Sequence, residues 1–341
     1  MSDSNTSALV VLGAGSWGTA LAIQFARSGR DTIIWGRNDR QLKAMKKDRV
    51  NEKYLPDCPF PEKLTVITDF AEAVSGARDI LVAVPSHSFR ETLEKLEFLM
   101  PLDGRVCWAT KGFEENTGKL PHQVAQEVLG ADIPTAVLSG PTFAAEVGRG
   151  LPTAMSIAST DEAFAEDLAE DISNDVFRAY TTDDVVGVEV GGAVKNILAI
   201  GAGISDGLGF GANTRVAMIT RGIVEMSRLG IALGARQETF LGLAGVGDLM
   251  LTCTDNLSRN RRMGLALAAG KSIEEAAEEI GQVVEGVRAA KAVWQVAKSH
   301  DVDMPIVSEL YAVLYENKSP KSAVSALMRR SLKPESNSSE F

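Results

Sequence analysis

Short apolar, β-branched runs alternate with amphipathic stretches through the first half of the chain. Nearly continuous apolar runs are typical of strands buried on both faces, and the amphipathic stretches between them are typical of helices. This alternation predicts an α/β fold, a doubly wound parallel sheet with helices on both faces. The predicted strands lie at 8–12, 31–35, 64–67, 79–84, 105–110, 135–139, 153–158 and 176–180.

The strand pattern stops after Thr182, and the remaining sequence predicts helices only. We therefore expect two domains, one at 1–184 and an all-helical one at 185–330, followed by a flexible tail at 331–341. The predicted helices of the second domain lie at 184–202, 213–232, 258–269, 273–280, 285–299 and 306–316.

Charge and composition exclude several classes of protein. The 45 acidic residues exceed the 35 basic ones, which disfavours nucleic-acid binding. The three cysteines and three histidines are scattered, so we expect neither a disulfide framework nor a metal site. The amino terminus lacks the features of a signal peptide, and Lys195 and Asn196 interrupt the most apolar run. We expect a cytoplasmic protein without membrane insertion.

A glycine loop follows the first predicted strand. Gly13, Gly15 and Gly18 satisfy the pattern G-x-G-x-x-G between a strand and a helix, as a dinucleotide-binding βαβ unit requires. The glycines allow a tight turn in which backbone amides and the positive helix terminus face a pyrophosphate. The alternative is a glycine-rich turn that binds nothing.

The second predicted strand ends in Arg37, where an NAD-selective site usually carries an acidic residue. An arginine can bind the 2′-phosphate of NADP through charge-assisted hydrogen bonds, so we expect NADP to be accepted beside NAD. Asp39 falls at a predicted helix start, two residues beyond. The alternative is that Arg37 is a solvated surface charge.

Lys195 and Asn196 lie in a predicted helix that is otherwise apolar. Buried lysines are uncommon. The residues one helical turn from the lysine are small, Gly191, Gly192 and Ala199, and the pattern indicates room for a ligand. A lysine removed from water, or near a second cation, loses proton affinity and is suited to take a proton from a substrate hydroxyl.

Lys111 follows a predicted strand and is a candidate for that second cation. The carboxyl ends of parallel strands bind ligands, so we expect Lys111 to face the same crevice as the glycine loop. An ordinary loop lysine is the alternative. The stretch 139–147 either contacts the nicotinamide side or is a simple strand exit. Glu285 either meets a ribose hydroxyl or caps the following helix.

A polar segment at 248–262 contains a cluster of basic residues in an acidic protein. Asp248 and Thr252 are one helical turn apart and can share a face. Ser258 is a candidate cap for a helix that begins with Arg259. Cations at a helix start oppose its dipole, and a bound anion removes that cost, so the cluster indicates a phosphate site. The alternative is a solvated basic face.

Eight stretches occur in an order and spacing that resemble the bacterial NAD(P)-dependent glycerol-3-phosphate dehydrogenases across about residues 8–330. The resemblance implies a Rossmann-type domain and an all-α C-terminal domain like that of 6-phosphogluconate dehydrogenase. It also implies reversible hydride transfer between NAD(P)H and dihydroxyacetone phosphate, giving sn-glycerol 3-phosphate for phospholipid synthesis. The stretches are "GAGSWGTALA", "VPSH", "ATKG", "SGPTFA", "GGAVKNILAIGAG", "GFGAN", "AGVGDL" and "CTDNLSRNRR".

Matching motifs residue by residue, the resemblance implies that Lys195 is the proton acceptor and that two further sets bind ligands. The substrate set is Lys111, Gly140, Thr142, Lys195, Asn196, Asp248, Thr252, Ser258, Arg259 and Asn260. The cofactor set is Gly13, Gly15, Ser16, Trp17, Arg37, Lys111, Ala144, Arg259, Val283 and Glu285.

Two other functions stay open on the residues alone. A dehydrogenase of the β-hydroxyacid type has a similar fold plan and a helix-borne lysine, but needs an anchor for a carboxylate rather than a phosphate. A module that senses NAD(P) without turnover would need no proton acceptor. We expect a homodimer in each case, because the apolar helices of the second half would otherwise expose much surface.

Overall fold

The computed structural model describes residues 8–331 and residue 334. The predicted flexible tail at 331–341 lies outside the described residues, except for Ser331 and Pro334. The chain forms two compact units. The first comprises residues up to Lys111 together with Pro121–Val185, and the second comprises Gly112–Leu120 together with the residues from Val186 onward.

The first unit differs from the expected domain at 1–184 in the short segment Gly112–Leu120, which belongs to the second unit. The physical reason is apolar burial. Phe113 and Leu120 are both buried in the hydrophobic core of the helical unit, and burying such side chains is favourable by about 1.5–3 kcal/mol each.

The first unit contains one eight-stranded sheet in the order β3-β2-β1-β4-β5-β6-β7-β8. The strands are β1 Leu9–Leu12, β2 Thr32–Trp35, β3 Leu64–Val66, β4 Asp79–Val82, β5 Arg105–Trp108, β6 Thr135–Ser139, β7 Thr153–Ala158 and β8 Phe177–Thr182. The helices are α1 Ser16–Arg27, α2 Asp39–Asp48, α3 Phe70–Val74, α4 Phe89–Glu97, α5 Pro121–Leu129, α6 Ala144–Arg149 and α7 Glu162–Ile172, with a 3₁₀ turn at Ser86–Ser88. The strand order reverses beside β1, where sheets of this kind bind ligands.

The sheet is parallel from β3 to β6, whereas β7 pairs antiparallel with β6, so the predicted parallel sheet has one antiparallel pair. The connection contains only α6, whose six residues span about 9 Å. A five-residue strand such as β6 is about 17 Å long. The chain therefore enters β7 at the end of the sheet where it left β6, and β7 runs in the opposite direction. The longer α7 returns the chain fully, and β8 is parallel to β7.

Paired charges fix the register of two central strands. Asp79 and Arg105 are the first residues of β4 and β5 and are partners in the parallel ladder. Arg105 Nε donates to Asp79 Oδ1 at 2.6 Å, and Arg30 donates to Asp79 Oδ2 at 2.8 Å. Asp79 is fully buried. A buried carboxylate needs such partners, because an unpaired one is strongly destabilising.

The second unit is helical and is built around α8, Val185–Gly207, in which every residue from Gly187 to Ser205 is buried. By length and composition α8 would suit a membrane span, but 89% of its most apolar window is buried inside the protein. It is therefore a core helix. The other helices are α9 Ala212–Ala232, α10 Asp248–Thr254, α11 Arg259–Ala268, α12 Ile273–Ile280, α13 Glu285–Ser299, α14 Pro305–Tyr315 and α15 Pro320–Met328, with a 3₁₀ turn at Gln237–Leu241 and a π-helical turn at Leu243–Gly247.

A buried carboxyl group on α9 caps α14. Glu225 accepts hydrogen bonds from the backbone N–H of Ile306 at 2.7 Å and of Val307 at 3.1 Å. Burial raises the pKa of Glu225 to about 7, although the two backbone donors oppose the shift. The folded protein thus holds this proton more tightly than the unfolded chain. The contribution of Glu225 to the free energy of unfolding is complete below the ordinary carboxyl pKa, and it is lost as the pH rises through about 7.

We expect Glu225→Gln to remove this pH dependence. Relative to the variant, the wild type should lose about 2 kcal/mol of unfolding free energy between about pH 5.5 and pH 8. Urea unfolding at both pH values, followed by circular dichroism, measures the difference. The exposed Glu162 on α7 is the control, since Glu162→Gln should give no such trend. An equal effect of Glu225→Gln at both pH values would contradict the assignment.

Candidate active site

The glycine loop lies between β1 and α1 and leaves no room for side chains on its inner side. Gly13 has φ of +130°, and a Cβ added there would lie 2.4 Å from the carbonyl oxygen of Ala83. A Cβ at Gly18 would lie 1.9 Å from the carbonyl oxygen of Gly13, whereas a Cβ at Gly15 would meet open space. No side chain caps α1 at Gly15. The open side and uncapped amides fit a pyrophosphate at the helix start.

Two amide side chains that the sequence analysis missed brace this loop. The carbonyl oxygen of Ala14, between the first two glycines, accepts from Gln41 Nε2 at 2.8 Å and from Asn51 Nδ2 at 3.2 Å. Asn51 Nδ2 also donates to Thr19 Oγ1 on α1, at 2.8 Å. Asn51 is fully buried. No local pattern marks these residues, because they meet the loop only after the chain has folded.

The remaining cofactor candidates near this loop lie at the ends of β1 and β2. Ser16 and Trp17 open α1. The indole Nε1 of Trp17 is buried without a hydrogen-bond acceptor among the described residues. Arg37 is exposed, and no side chain would fit at the neighbouring Gly36, whose Cβ would lie 2.7 Å from Ala14 Cβ. These features fit a dinucleotide: a closed inner wall, an open helix start and an exposed cation.

Four more candidates follow the carboxyl ends of β5 and β6, which run parallel to β1. Lys111 comes shortly after β5, and Gly140 directly follows β6. Gly140 has φ of +152°, and a Cβ there would lie 2.9 Å from Met155 Cα. Thr142 Oγ1 donates to the carbonyl oxygen of Gly140 at 3.2 Å, and Ala144 opens α6. All four therefore lie at the same edge of the sheet as the glycine loop.

The ammonium of Lys195 lies in a buried polar cluster of the helical unit. Lys195 Nζ is 2.5 Å from Asp248 Oδ1 and 3.3 Å from Thr252 Oγ1. Thr252 Oγ1 donates to the backbone oxygen of Asp248 at 2.5 Å. Lys195 is 8% exposed and Asp248 1%. Because α8 and α10 carry one partner each, both helices must be in place for the charges to be paired.

Gly191 lies one helical turn before Lys195, and the space beside it is filled by the backbone of a neighbouring turn. The expectation that Gly191 leaves room for a ligand was therefore wrong. A Cβ added at Gly191 would lie 2.3 Å from the carbonyl oxygen of Ala244, in the π-helical turn Leu243–Gly247. This turn leads directly into α10 and Asp248. Close approach of the two backbones thus brings Asp248 to Lys195. π-helical turns within helical segments are frequent at functional sites.

Two asparagines form a second buried cluster. Asn260 Nδ2 donates to Asn196 Oδ1 at 2.9 Å, and Asn260 Oδ1 accepts from the backbone N–H of Gly286 at 2.9 Å. Asn196 lies on α8, Asn260 on α11 and Gly286 on α13. The predicted substrate residues Asn196 and Asn260 are thus in direct contact, and Gly286 is a third member that the sequence analysis did not identify.

The start of α11 carries the predicted phosphate residues. Ser258 is its N-cap, and Ser258 Oγ accepts from the backbone N–H of Arg261 at 3.2 Å. Arg259 is half-buried and donates to Gln282 Oε1 at 3.3 Å. Arg261 is buried and paired with Asp206, whereas Arg262 is exposed. Arg261 therefore stabilises the fold through its ion pair with Asp206. Arg259, which is half-buried and precedes the buried Asn260, is the better candidate for a ligand contact.

The last cofactor candidates precede and open α13. Val283 is 47% exposed. Glu285 is the first residue of α13, and its N-cap is Val284, so Glu285 does not cap the helix. Cys253, which follows Thr252 on α10, is not a thiolate, since burial raises its pKa to about 12. Among residues 8–331 and 334, no group of three or more His, Cys, Asp or Glu side chains could hold a metal ion.

Two family models match this chain over nearly its whole length. The N-terminal model of NAD-dependent glycerol-3-phosphate dehydrogenase matches residues 8–165, and the C-terminal model of the same family matches residues 184–325. The chain belongs to the NAD-dependent glycerol-3-phosphate dehydrogenase family. The match agrees with the fold, a Rossmann-type sheet domain followed by a helical one.

Three relatives illustrate how closely the chain follows this family. Glycerol-3-phosphate dehydrogenase [NAD(P)+] of Tolumonas auensis is 54% identical, over 96% of this chain and 98% of the relative. The Citrobacter koseri protein of the same name is also 54% identical, over 98% and 99% of the two chains. A crystal structure of glycerol-3-phosphate dehydrogenase from Coxiella burnetii is 45% identical, with a TM-score of 0.93 over 95% of this chain and 99% of that one.

Within this family member, each unit brings its own candidates together. The first unit collects the glycine loop, Arg37, Lys111 and the 140–144 turn at the carboxyl ends of the strands. The second unit holds the Lys195 cluster, the asparagine pair and the start of α11.

Gly191→Ala tests whether the approach of the π-helical turn sets the Lys195–Asp248 contact. The added methyl group should displace Ala244 and with it Asp248, destabilise the protein by about 1–3 kcal/mol and lower kcat by about tenfold or more. Turnover kinetics and thermal unfolding measure the two effects. Gly242→Ala is the matched control, because its Cβ would make only ordinary contact, 3.4 Å from the carbonyl oxygen of Thr239. Unchanged kcat in the Gly191 variant would contradict this reading.

Proposed function

We propose that this chain catalyses the reversible, NAD(P)-dependent interconversion of dihydroxyacetone phosphate and sn-glycerol 3-phosphate, supplying glycerol phosphate for phospholipid synthesis. The observation that carries the proposal is the buried ammonium of Lys195, paired with Asp248 and next to Thr252, in a member of this dehydrogenase family. A sensor without turnover has no need to bury a lysine and its counter-charge.

Lys195 is the general acid and base of the proposed reaction. In reduction it gives a proton to the carbonyl oxygen of dihydroxyacetone phosphate, and in oxidation it takes the proton from the C2 hydroxyl of glycerol phosphate. Asp248 and Thr252 hold the ammonium in place. A cation at the substrate oxygen also stabilises the negative charge that develops there. A bound nicotinamide supplies or accepts the hydride.

The start of α11 holds the substrate phosphate in this proposal. The guanidinium of Arg259 gives charge-assisted hydrogen bonds, which are stronger than neutral ones. Ser258, Asn196 and Asn260 add polar groups at or beside the positive end of the helix dipole. A phosphate at this end offsets the unfavourable placement of arginines in the first turn. Lys111, Gly140 and Thr142 complete the proposed substrate set.

The dinucleotide is held by the glycine loop of the first unit. The backbone at Gly13 and Gly15 and the start of α1, with Ser16 and Trp17, receive the pyrophosphate and adjacent groups. The exposed Arg37 accepts a 2′-phosphate, so NADP is used beside NAD. The other proposed cofactor contacts are Lys111, Ala144, Arg259, Val283 and Glu285.

We also infer that the protein is cytoplasmic and forms a homodimer. Large apolar side chains on the helical unit are exposed, among them Val216, Leu241 and Leu257. Pairing of two copies would remove such side chains from water, and contiguous apolar patches are typical of surfaces that bind another protein. Analytical ultracentrifugation distinguishes a dimer from a monomer.

Lys195→Ala is the direct test of the proposed reaction. We expect kcat with dihydroxyacetone phosphate to fall by about 10²–10⁴-fold, as for loss of a general acid, while the cofactor still binds. The decrease in NADPH or NADH absorbance measures turnover and cofactor preference. Lys321→Ala, at an exposed position on α15, is the control. A wild type that oxidises neither cofactor with this substrate would overturn the proposal.

Arg259→Ala tests the phosphate assignment. Loss of a hydrogen bond to a charged group should raise KM for dihydroxyacetone phosphate by about 10- to 100-fold. Arg262→Ala on the same helix is the matched control, since Arg262 is exposed and we expect little change. Steady-state kinetics with saturating NADPH give both values. An unaffected Arg259 variant would instead favour a substrate that carries a carboxylate.

A further inference from the structure

The direction of the Ala14 carbonyl in the glycine loop is fixed by two amide side chains. Its oxygen accepts hydrogen bonds from Gln41 Nε2 at 2.8 Å and from Asn51 Nδ2 at 3.2 Å. A carbonyl oxygen only accepts, so both side chains must turn their nitrogens toward it. The rest of the network agrees with this orientation, because Gln41 Nε2 also donates to Asn51 Oδ1, at 3.3 Å.

Burial makes this network hard to rearrange. Asn51 Nδ2 donates to Thr19 Oγ1 at 2.8 Å as well, and Asn51 and Thr19 are both fully buried. Asn51 is also held through its backbone, whose oxygen accepts from the N–H of Leu55 at 2.8 Å in an isolated β-bridge. If the Asn51 amide rotated by half a turn, its oxygen would face the oxygen of Ala14, and a buried mismatch of this kind is costly.

The peptide group that contains this carbonyl also contains the N–H of Gly15. In a planar trans peptide the carbonyl oxygen and the following N–H point in opposite directions. Because the Ala14 oxygen faces the two amides, the Gly15 N–H faces away from them. It donates to no acceptor among the residues that the structure describes, whereas the N–H of Gly13 donates to the backbone oxygen of Trp35 at 2.8 Å. A Cβ at Gly15 would meet no atom within 4 Å, so this side of the loop is open.

We propose that Gln41 and Asn51 are positioning residues for the dinucleotide: by holding the carbonyl of Ala14, they turn the N–H of Gly15 toward the pyrophosphate. The two side chains act through the loop and need no contact with the cofactor themselves. A donor that is already oriented saves the cost of ordering the peptide when the cofactor binds. This inference rests on the proposed function and deepens it.

The network acts on a part of the cofactor that Arg37 does not recognise. NADH and NADPH share the pyrophosphate, and only NADPH has the 2′-phosphate that we assign to Arg37. Loss of Gln41 or Asn51 should therefore weaken the binding of both dinucleotides by the same factor. Loss of Arg37 should weaken NADPH more than NADH. The two patterns can be separated although Gln41 lies on α2, which begins two residues after Arg37.

Binding titrations without substrate test this proposal. Gln41→Met removes one donor at nearly unchanged side-chain length and should raise the dissociation constants of NADH, NADPH and ADP-ribose by about 3- to 10-fold. Asn51→Leu keeps the side-chain shape but removes the bonds to Ala14 and Thr19, and should raise the same constants by about 10- to 100-fold. Adenosine 2′-phosphate, which lacks the pyrophosphate, should bind both variants as it binds the wild type. Arg37→Ala should instead weaken adenosine 2′-phosphate and spare ADP-ribose.

Lys43→Met is the matched control, because it places the same new side chain at an exposed position of the same helix. It should change none of these dissociation constants. Melting temperatures show whether each variant is folded. Gln41 is only half-buried, so Gln41→Met decides the question alone if Asn51→Leu does not fold.

Two results would overturn the positioning role. One is an unchanged dissociation constant of ADP-ribose in Gln41→Met, since the network then has no effect on the pyrophosphate. The other is equal weakening of adenosine 2′-phosphate, which indicates a general distortion of the unit. Failure of the proposed function has a different signature: the wild type binds both dinucleotides but does not reduce dihydroxyacetone phosphate, and the titrations, which contain no substrate, still decide the role of Gln41 and Asn51. A wild type that binds neither dinucleotide overturns both.

Discussion

The helical unit depends on the pairing of Lys195 with Asp248 in its interior. Removing two charges from water costs several kcal/mol for each ion, and only a close, well-oriented partner offsets that cost. The structure meets this requirement through backbone geometry. Gly191 admits the carbonyl of Ala244, the π-helical turn leads into α10, and Asp248 arrives 2.5 Å from the ammonium. The position of the Lys195 ammonium relative to Asp248 therefore depends on how α8 packs, and a change in that packing would also disturb the charge pair.

Glycine serves two different purposes in the two units. At Gly13 it permits a backbone conformation with positive φ and close packing of the loop against Ala83, next to a helix start that no side chain caps. At Gly191 and Gly286 it lies within ordinary helices and permits neighbouring backbone or amide groups to approach within 3 Å of where a Cβ would be. The glycine loop can be recognised as a sequence motif. The helical glycines cannot, because the local sequence does not indicate which groups pack against them.

Sequence reasoning therefore succeeded where a signal is local. The strand pattern, six helices of the second half and the glycine loop follow from periodicity and spacing, and the observed elements agree with them closely, whereas the short helices α10 and α15 were not predicted. The reversal of β7 was missed because it depends on the length of α6 relative to a strand. The brace formed by Gln41 and Asn51, and the link from Gly286 to Asn260, join residues far apart in the chain. Pairings of that kind are properties of the packed structure.

The placement of Gly112–Leu120 has a consequence for how the chain can be divided. Because this segment packs with the helical unit while both of its flanks belong to the sheet unit, the polypeptide passes from one unit to the other three times. A fragment ending near Val185 would carry Phe113 and Leu120 without the hydrocarbon that covers them, and the complementary fragment would have the matching gap. The two halves are thus interleaved in covalent connectivity, and no single proteolytic cut yields both of them whole.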